Sequence, residues 1–369
     1  MTAASRAEAT IRQLCSLGLP SEAVMPMLAE ELLAAIPCCG ATFIWADAEG
    51  GFANSYDPHP EAERVAATYL EKFYGPREFG LGFRELMRRG WGVQSMEENF
   101  GRRLDEFLAS DQYNLIHRPL GHGPYIFLVV RTPVGPFGLG YLMLSRGLRE
   151  RPFSAEDRVR LARLEPFLGH LLTADASPAF PLAGGTATGV IVATVDGRVV
   201  HASREARRLL HLASSRDTLR AGDGMTSGLP PIVARLCRNL TATLNGDEAA
   251  GAPTLHHRNV WGGFTFTAHR LDSSDDAAGL VGMVVTFREP RAIALLRGIR
   301  KLPLSRRQSE VCRLMAEGLA HSEIARRLGI SRHTVIAHAR WIYDKLDVHD
   351  RSELVARLVA SNGEAPAIH

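Results

Sequence analysis

Between Ser331 and Leu346 the chain carries side chains whose types and spacing suit recognition of a nucleic-acid duplex. Val335, Ala339, Ile342 and Leu346 recur at three- and four-residue intervals, which on a helix gathers them within about 60° and turns them toward a core. The opposite side presents His333, Ile336, Ala337, Arg340 and Asp344. The DNA major groove, about 12 Å wide, admits one helix and lets its exposed side chains meet base edges. A guanidinium such as Arg340 pairs bidentately with guanine there, and Ile336 and Ala337 reach thymine methyls, with His333 and Thr334 beside them. Arg326, Arg327, Arg332, Lys345 and Arg351 suit phosphate oxygens, which supply affinity without reading sequence.

Such a helix reads DNA only if neighbouring elements hold it proud of the surface, and the preceding residues are patterned to do so. Ser305 and Gln308 form a capping box, Val311, Leu314 and Met315 make one apolar stripe, and Gly318 suits a left-handed helix end. A second helix is predicted over His321 to Leu328, with Ile324 and Leu328 inward and Gly329 ending it. Ser331 caps the third helix only two residues later, and so short a glycine-containing link is the mark of a helix-turn-helix. A fourth helix is expected over Asp350 to Ala360.

The runs Leu304-Ser-Arg-Arg-Gln-Ser-Glu-Val311, Glu323-Ile-Ala-Arg-Arg-Leu-Gly-Ile-Ser331 and Tyr343-Asp-Lys-Leu346, with Gly318-Leu, Thr334-Val335 and His338, resemble the LuxR-type (GerE/FixJ) DNA-binding domain. The resemblance covers Leu304 to Leu358 and implies an all-α four-helix domain that binds double-stranded DNA as a homodimer. It also implies that helix four, with Leu354 and Leu358, lies at the subunit contact, and it admits RNA polymerase as a partner. Three positions depart from the family's pattern. Ala320 replaces the usual Ser or Thr cap of helix two, a change of about 1 kcal/mol locally. Ser322 stands where a lysine is common, and Ile336 replaces the lysine that usually follows Thr-Val. The last removes one cationic contact to DNA.

The chain divides at two breaks, the Ala/Ser/Pro/Gly/Thr-rich stretch from Thr173 to Gly189 and a short helical connector before Pro303. This gives a multidomain arrangement: residues 1–172, 186–289, a connector at 290–303, and 304–369. From Arg291 onward 14 Lys and Arg face 8 Asp and Glu, while the 290 residues before it carry 29 against 32, so the basic excess sits at the carboxy-terminal end. Ile293 and Leu296 lie along one side of the connector, an arrangement expected to pair across a dimer and set the spacing of two reading heads.

The first segment reads as α+β. A helix with Met27, Leu28, Leu32, Ala35 and Ile36 inward precedes a strand at 41–46 and two β-rich runs, 125–132 and 138–145, joined through Pro133 to Pro136. A closing helix after Ser154, a cap with Asp157 at N3, carries Val159, Leu161, Leu164, Phe167, Leu168 and Leu171. Gly138-Leu-Gly-Tyr-Leu-Met-Leu-Ser145 followed by Phe153-Ser-Ala-Glu-Asp157 resembles a GAF domain. In the second segment an apolar strand from Gly189, an Asp196-Gly197 turn, a second strand ending near Ser203 and a helix with Ala206, Leu209 and Leu210 are followed by strands at 263–271 and 280–288. This order resembles a PAS domain, with Ser203 where an Asn is frequent.

Half of the aromatic residues, 13 of 26, fall between Phe43 and Tyr113. Aromatic walls with a few polar groups are typical of small-molecule pockets, and the candidate lining is Phe43, Trp45, Tyr69, Phe73, Phe83 and Trp91. Neither His256-His257 nor His117 and His122 has the spacing of a metal site, so they read as satisfied or surface histidines, and no motif supports haem or flavin. The five cysteines show no CxxC pair and read as reduced thiols. No GxSxG, P-loop, HExxH or complete dinucleotide fingerprint occurs, which argues against an enzyme. No secretory leader or membrane-length apolar run is present, which predicts a cytoplasmic chain. The resulting expectation is a sequence-specific DNA-binding transcription regulator controlled by a small-molecule effector. The alternative is control by a protein partner or oligomer switch, with phosphorylation a weaker rival because no receiver-like acidic pattern opens the chain.

Overall fold

The computed structural model describes residues 2–89, 92–131, 135–174, 179–185, 187–214, 231–247, 249–271 and 279–360. The chain forms two compact units, one of Met1–Pro178 with Gly189–Val285 and one of Ala179–Thr188 with Thr286–His369. No helix among the described residues is long and apolar enough to cross a membrane.

The first unit opens with α1 (Ala3–Leu14) and α2 (Ser21–Ala35), which pack on each other. Strands β1 (Gly40–Ala46) and β2 (Phe52–Tyr56) lead to helices α3 (Ala62–Lys72) and α4 (Phe83–Arg89). Then come the short strand β3 (Gln94–Ser95), helices α5 (Met96–Phe100) and α6 (Leu104–Ala109), and a π turn at Tyr113–His117. Strands β4 (His122–Val130) and β5 (Gly140–Gly147) complete an antiparallel sheet in the order β2-β1-β5-β4-β3.

Because side chains alternate across a strand, pairing sets which residues share a face. Phe43 stands opposite Leu142, and Leu142 opposite Leu128, on the face that α2 covers. Ile44, Tyr141 and Val129 are matched in the same way on the other face, together with Thr42, Met143 and Phe127. That second face is roofed by α3 to α6 and the π turn, around a core holding Phe52, Phe83, Met87, Phe107 and Tyr125.

The closing helix differs from its expectation. Its capping box forms, with Ser154 Oγ accepting from Asp157 N at 3.2 Å and Asp157 Oδ2 accepting from Ser154 N at 2.9 Å. It then breaks into α7 (Ala155–Ala162) and α8 (Glu165–Thr173), with Pro166 in the first turn of the second, where its missing N–H leaves no bond unmade. Val159, expected inward, is 49% exposed.

A second sheet runs in the order β7-β6-β10-β9-β8. It is built from β6 (Ala187–Thr194), β7 (Val199–Ala202), β8 (Thr254–Asn259), β9 (Gly262–Leu271) and β10 (Leu280–Arg288), with α9 (Arg204–Ser214) and α10 (Pro231–Leu244) between the second and third strands. Gly197 takes the positive φ of +90° that the Asp196-Gly197 turn requires. Ser203 Oγ accepts from Ala206 N at 3.1 Å, so the serine does cap α9. Strand β8 and helix α10 went unread in the sequence. Within the first unit Trp261, at the β8–β9 turn, is buried against Trp45 (centroids 5.9 Å, 89°) and Tyr56 (5.6 Å, 34°).

In the second unit Ala183 N donates to Glu289 O at 2.9 Å and Arg291 N to Pro181 O at 2.8 Å, tying the stretch after 178 to the start of α11 (Arg291–Arg300). Helices α12 (Arg306–Ala316), α13 (His321–Leu328), α14 (Arg332–Leu346) and α15 (Arg351–Ala360) follow. They close on a core of Val311, Leu314, Met315, Ile324, Val335, Ala339, Ile342, Leu354 and Leu358, joined by Leu295 and Ile299 of α11.

This arrangement overturns the expected dimer seam. Leu354 and Leu358 are 0% and 1% exposed within the domain's own core, and Ile293 and Leu296 are 2% exposed in the single chain. An apolar stripe shows that a helix face is covered, not by what. Here α11 packs on α15, so closely at Gly298 that an added Cβ would lie 2.2 Å from Leu358 O.

Candidate functional site

The helix-turn-helix is assembled by its caps. Ser305 Oγ accepts from Gln308 N at 3.3 Å while Gln308 Oε1 accepts from Ser305 N at 2.8 Å, closing the capping box of α12. Ala320 offers α13 no side-chain cap, as its methyl dictates. Gly329 ends α13 in the left-handed region (φ 62°, ψ 38°), and Ser331 Oγ accepts from Thr334 N at 3.0 Å to start α14. Asp347 ends α14 at φ +52°, a conformation that Asp tolerates better than most side chains.

On α14, Val335, Ala339, Ile342 and Leu346 are buried as the helical period requires. Arg332, His333, Thr334, Ala337, Arg340 and Asp344 are exposed and Ile336 is half-buried, so the expected reading face is open. Trp341, 39% exposed, escaped the sequence reading; it flanks this face, and Lys345 Nζ lies 4.2 Å above its ring, a cation–π contact.

The phosphate candidates separate into two groups. Arg326 and Arg327 are exposed and share Glu323 at 2.7 and 3.1 Å, leaving one net positive charge; their hydrogen bonds hold the Glu323 carboxyl below its usual range. Arg332 is also exposed. Lys345 instead donates to Pro303 O at 2.9 Å, and Arg351 is half-buried and donates to Leu319 O at 2.5 Å, in the turn between α12 and α13. Those two cations are engaged by the domain itself.

In the first unit a cavity of ≈ 150 Å³ lies between the second face of the β2-β1-β5-β4-β3 sheet and its helical roof. Of the candidate lining residues, Tyr69 and Phe83 border it. Phe43 and Trp45 do not: they sit on the opposite face of β1, where Trp45 Nε1 donates to Ser21 Oγ at 2.8 Å. Phe73, at the end of α3, is also outside the lining, and Trp91 lies outside the described residues.

The polar lining was missed. His117, read as a surface or satisfied histidine, is stacked between Tyr113 (5.8 Å, 14°) and Tyr125 (5.5 Å, 11°) and reaches the cavity. Burial, aided by His122 nearby, pushes its pKa down to about 3, so it stays neutral. Its Nδ1 and the Oδ1 of Asn99 are buried with no hydrogen-bond partner among the described residues. His122 lies 3.7 Å from Asp57 Oδ2, and burial lowers its pKa against the pull of that carboxylate. Asp57 also accepts from Thr42 Oγ1 and from His59 N at 2.8 Å. Glu78 accepts from Tyr69 Oη and Gly75 N, both at 3.0 Å, and from Phe83 N, while burial raises its pKa. Gly40 permits the close approach of His122, since a Cβ there would sit 2.8 Å from Nε2. Thr42 and Asp57 are far in sequence from His117 and His122, so only the fold juxtaposes them.

No group of three or more metal-ligating side chains occurs among the described residues. His256 is exposed on β8 with Nδ1 3.1 Å from Thr265 Oγ1.

Residues 302–358 match the family of bacterial regulatory proteins named luxR. The second unit holds a LuxR-type domain. The probable transcriptional regulatory protein SgaR of Hyphomicrobium methylovorum is 33% identical over 23% of this chain and 49% of its own length. The transcriptional regulatory protein UhpA of Escherichia coli is 40% identical over 23% of this chain and 45% of its own length. The chain thus spans less than half the length of these curated relatives. A structure of the LuxR-type receptor VqmA of Vibrio cholerae, 16% identical, covers 48% of this chain and 83% of its own, with a TM-score of 0.16, too low to carry any argument. The LuxR-type domain coincides with α12 to α15, the elements that present the exposed face of α14.

Proposed function

We propose that this protein is a sequence-specific DNA-binding transcription regulator, in which α14 enters the major groove and Arg340 reads a base. The observation that carries this reading is the exposed row His333, Ala337 and Arg340 on a helix held by a three-residue glycine-containing turn within a LuxR-type domain. Arg326, Arg327 and Arg332 supply phosphate contacts beside it. A homodimer fits a two-fold operator, and with Leu354 and Leu358 inward the exposed side of α15, at Ser352, Glu353, Ala356 and Arg357, is the surface left for it.

The amino-terminal regions are read as GAF-like and PAS-like sensors, and control by a small molecule is favoured over a protein switch because the first sheet carries a walled cavity with unpaired polar atoms. The test is footprinting of the purified chain on genomic fragments. Discrete protected sites built of two half-sites about one helical turn apart support the reading. Binding that is uniform along every fragment and vanishes with modest salt refutes it.

A further inference from the structure

We propose that the first-unit cavity selects a single-ring aromatic or heteroaromatic molecule that is uncharged or cationic and carries a hydrogen-bond donor, such as a phenol or an aromatic amine. The inference rests on the reading of the amino-terminal region as a small-molecule sensor and adds the chemistry of the effector.

Size sets the first limit. The cavity measures ≈ 150 Å³, the volume at which an engineered apolar cavity takes up benzene, and a haem or flavin is far larger. Its walls are rings, among them Phe52, Tyr69, Phe107, Tyr125 and Tyr141, which favour a ring packed edge-to-face or offset against them.

Charge sets the second. The lining contains two carboxylates, Asp57 and Glu78, and neither arginine nor lysine. Its histidines are disfavoured as cations by burial. An anionic ligand would therefore be buried beside two acids with no counter-charge, which disfavours it strongly. A neutral ring escapes that penalty, and an ammonium gains from the carboxylates.

The unpaired atoms set the third. Asn99 Oδ1 is an acceptor without a donor, and His117 Nδ1 is also unpartnered. Both side chains adjoin Tyr125: Asn99 lies beside its hydroxyl, and His117 stacks on its ring. A buried polar atom left unmade is costly, and a ligand O–H or N–H delivered to Asn99 Oδ1 removes that cost. An acceptor-only ring cannot.

The test titrates the full chain calorimetrically with phenol, aniline, toluene and benzoate, which share one ring and differ in donor and charge. Phenol and aniline are expected to bind, with toluene and benzoate each at least tenfold weaker. Asn99→Leu should abolish the preference for phenol over toluene while toluene binding persists, which shows that the cavity remains folded. Benzoate binding as tightly as phenol, or no binding by any of the four, overturns the proposal. So does an Asn99→Leu chain that keeps the full phenol preference. If Asn99→Leu unfolds the chain, the comparison of phenol with benzoate on the wild type decides alone. DNA affinity measured with and without phenol is a separate readout: ring binding with unchanged DNA affinity refutes effector control and leaves the pocket assignment standing.

Discussion

Replacing Gly298 by alanine asks whether α11 belongs to the LuxR-type unit or is only a strap leading to it. The new Cβ would lie 2.2 Å from Leu358 O, 2.9 Å from Leu358 C and 3.0 Å from Leu358 Cα, all backbone atoms that cannot rotate away. Restoring ordinary contact requires α11 and α15 to part by about 1 Å, which loosens the Leu295 and Ile299 side of the core. Overpacking of this kind costs roughly 1–3 kcal/mol, and a clash with backbone belongs at the upper end. Alanine returns about 1 kcal/mol as the better helix former, leaving a net loss of about 2 kcal/mol. That is roughly a thirty-fold increase in the opening equilibrium. Hydrogen exchange of the intact chain, read on peptides from α12 to α15, should accelerate accordingly, because exchange there reports local opening. Exchange that is unchanged or slower in Gly298→Ala would refute the packing of α11 on α15.

Other consequences follow from the same geometry. Ala320→Ser supplies the cap that α13 lacks and should stabilise the LuxR-type domain by about 1 kcal/mol, seen as slower exchange in α13. Leu296→Asp places a charge at a position 2% exposed, so it should unfold α11 rather than merely separate subunits. Circular dichroism and sedimentation decide this, and a fully folded monomer would contradict the burial. His117 has its pKa lowered from 6.5 to about 3 in the fold, so between those values the unfolded chain binds the extra proton and stability falls as pH drops. At pH 4.5 the loss reaches roughly 2–3 kcal/mol, measurable as a change in urea midpoint that His117→Phe should remove.

What the sequence discloses and what it conceals divide along physical lines. The LuxR-type domain was legible because its signals are local: Ser305 with Gln308, Gly329 and Ser331 are caps, and the 335-339-342-346 row is one helical period. The cavity was half legible. Aromatic enrichment indicated its neighbourhood, yet the phase of β1 depends on pairing with β5, and one residue of phase turned Phe43 and Trp45 away while Thr42 and Ile44 faced in. The polar lining was not legible, because Asp57, Asn99, His117 and His122 meet only through the fold. For Leu354 and Leu358 the sequence recorded that a face is apolar but not that α11 packs on it through Leu295 and Ile299, and for Ile293 and Leu296 it did not record that the single chain buries them. Strand β8 reads Thr-Leu-His-His-Arg-Asn, with Leu255 its one apolar side chain, and so gave no hydrophobic period to read although its burial alternates.

We propose that α14 reads DNA through Arg340. It is tested most directly by comparing wild type and Arg340→Ala on a footprinted site and on random DNA of the same length at one salt concentration. A loss of about 1–3 kcal/mol is expected on the specific site, confined to one base-pair position, with affinity for random DNA nearly unchanged. Equal losses on both DNAs would show that Arg340 contacts phosphate alone and would contradict the assignment.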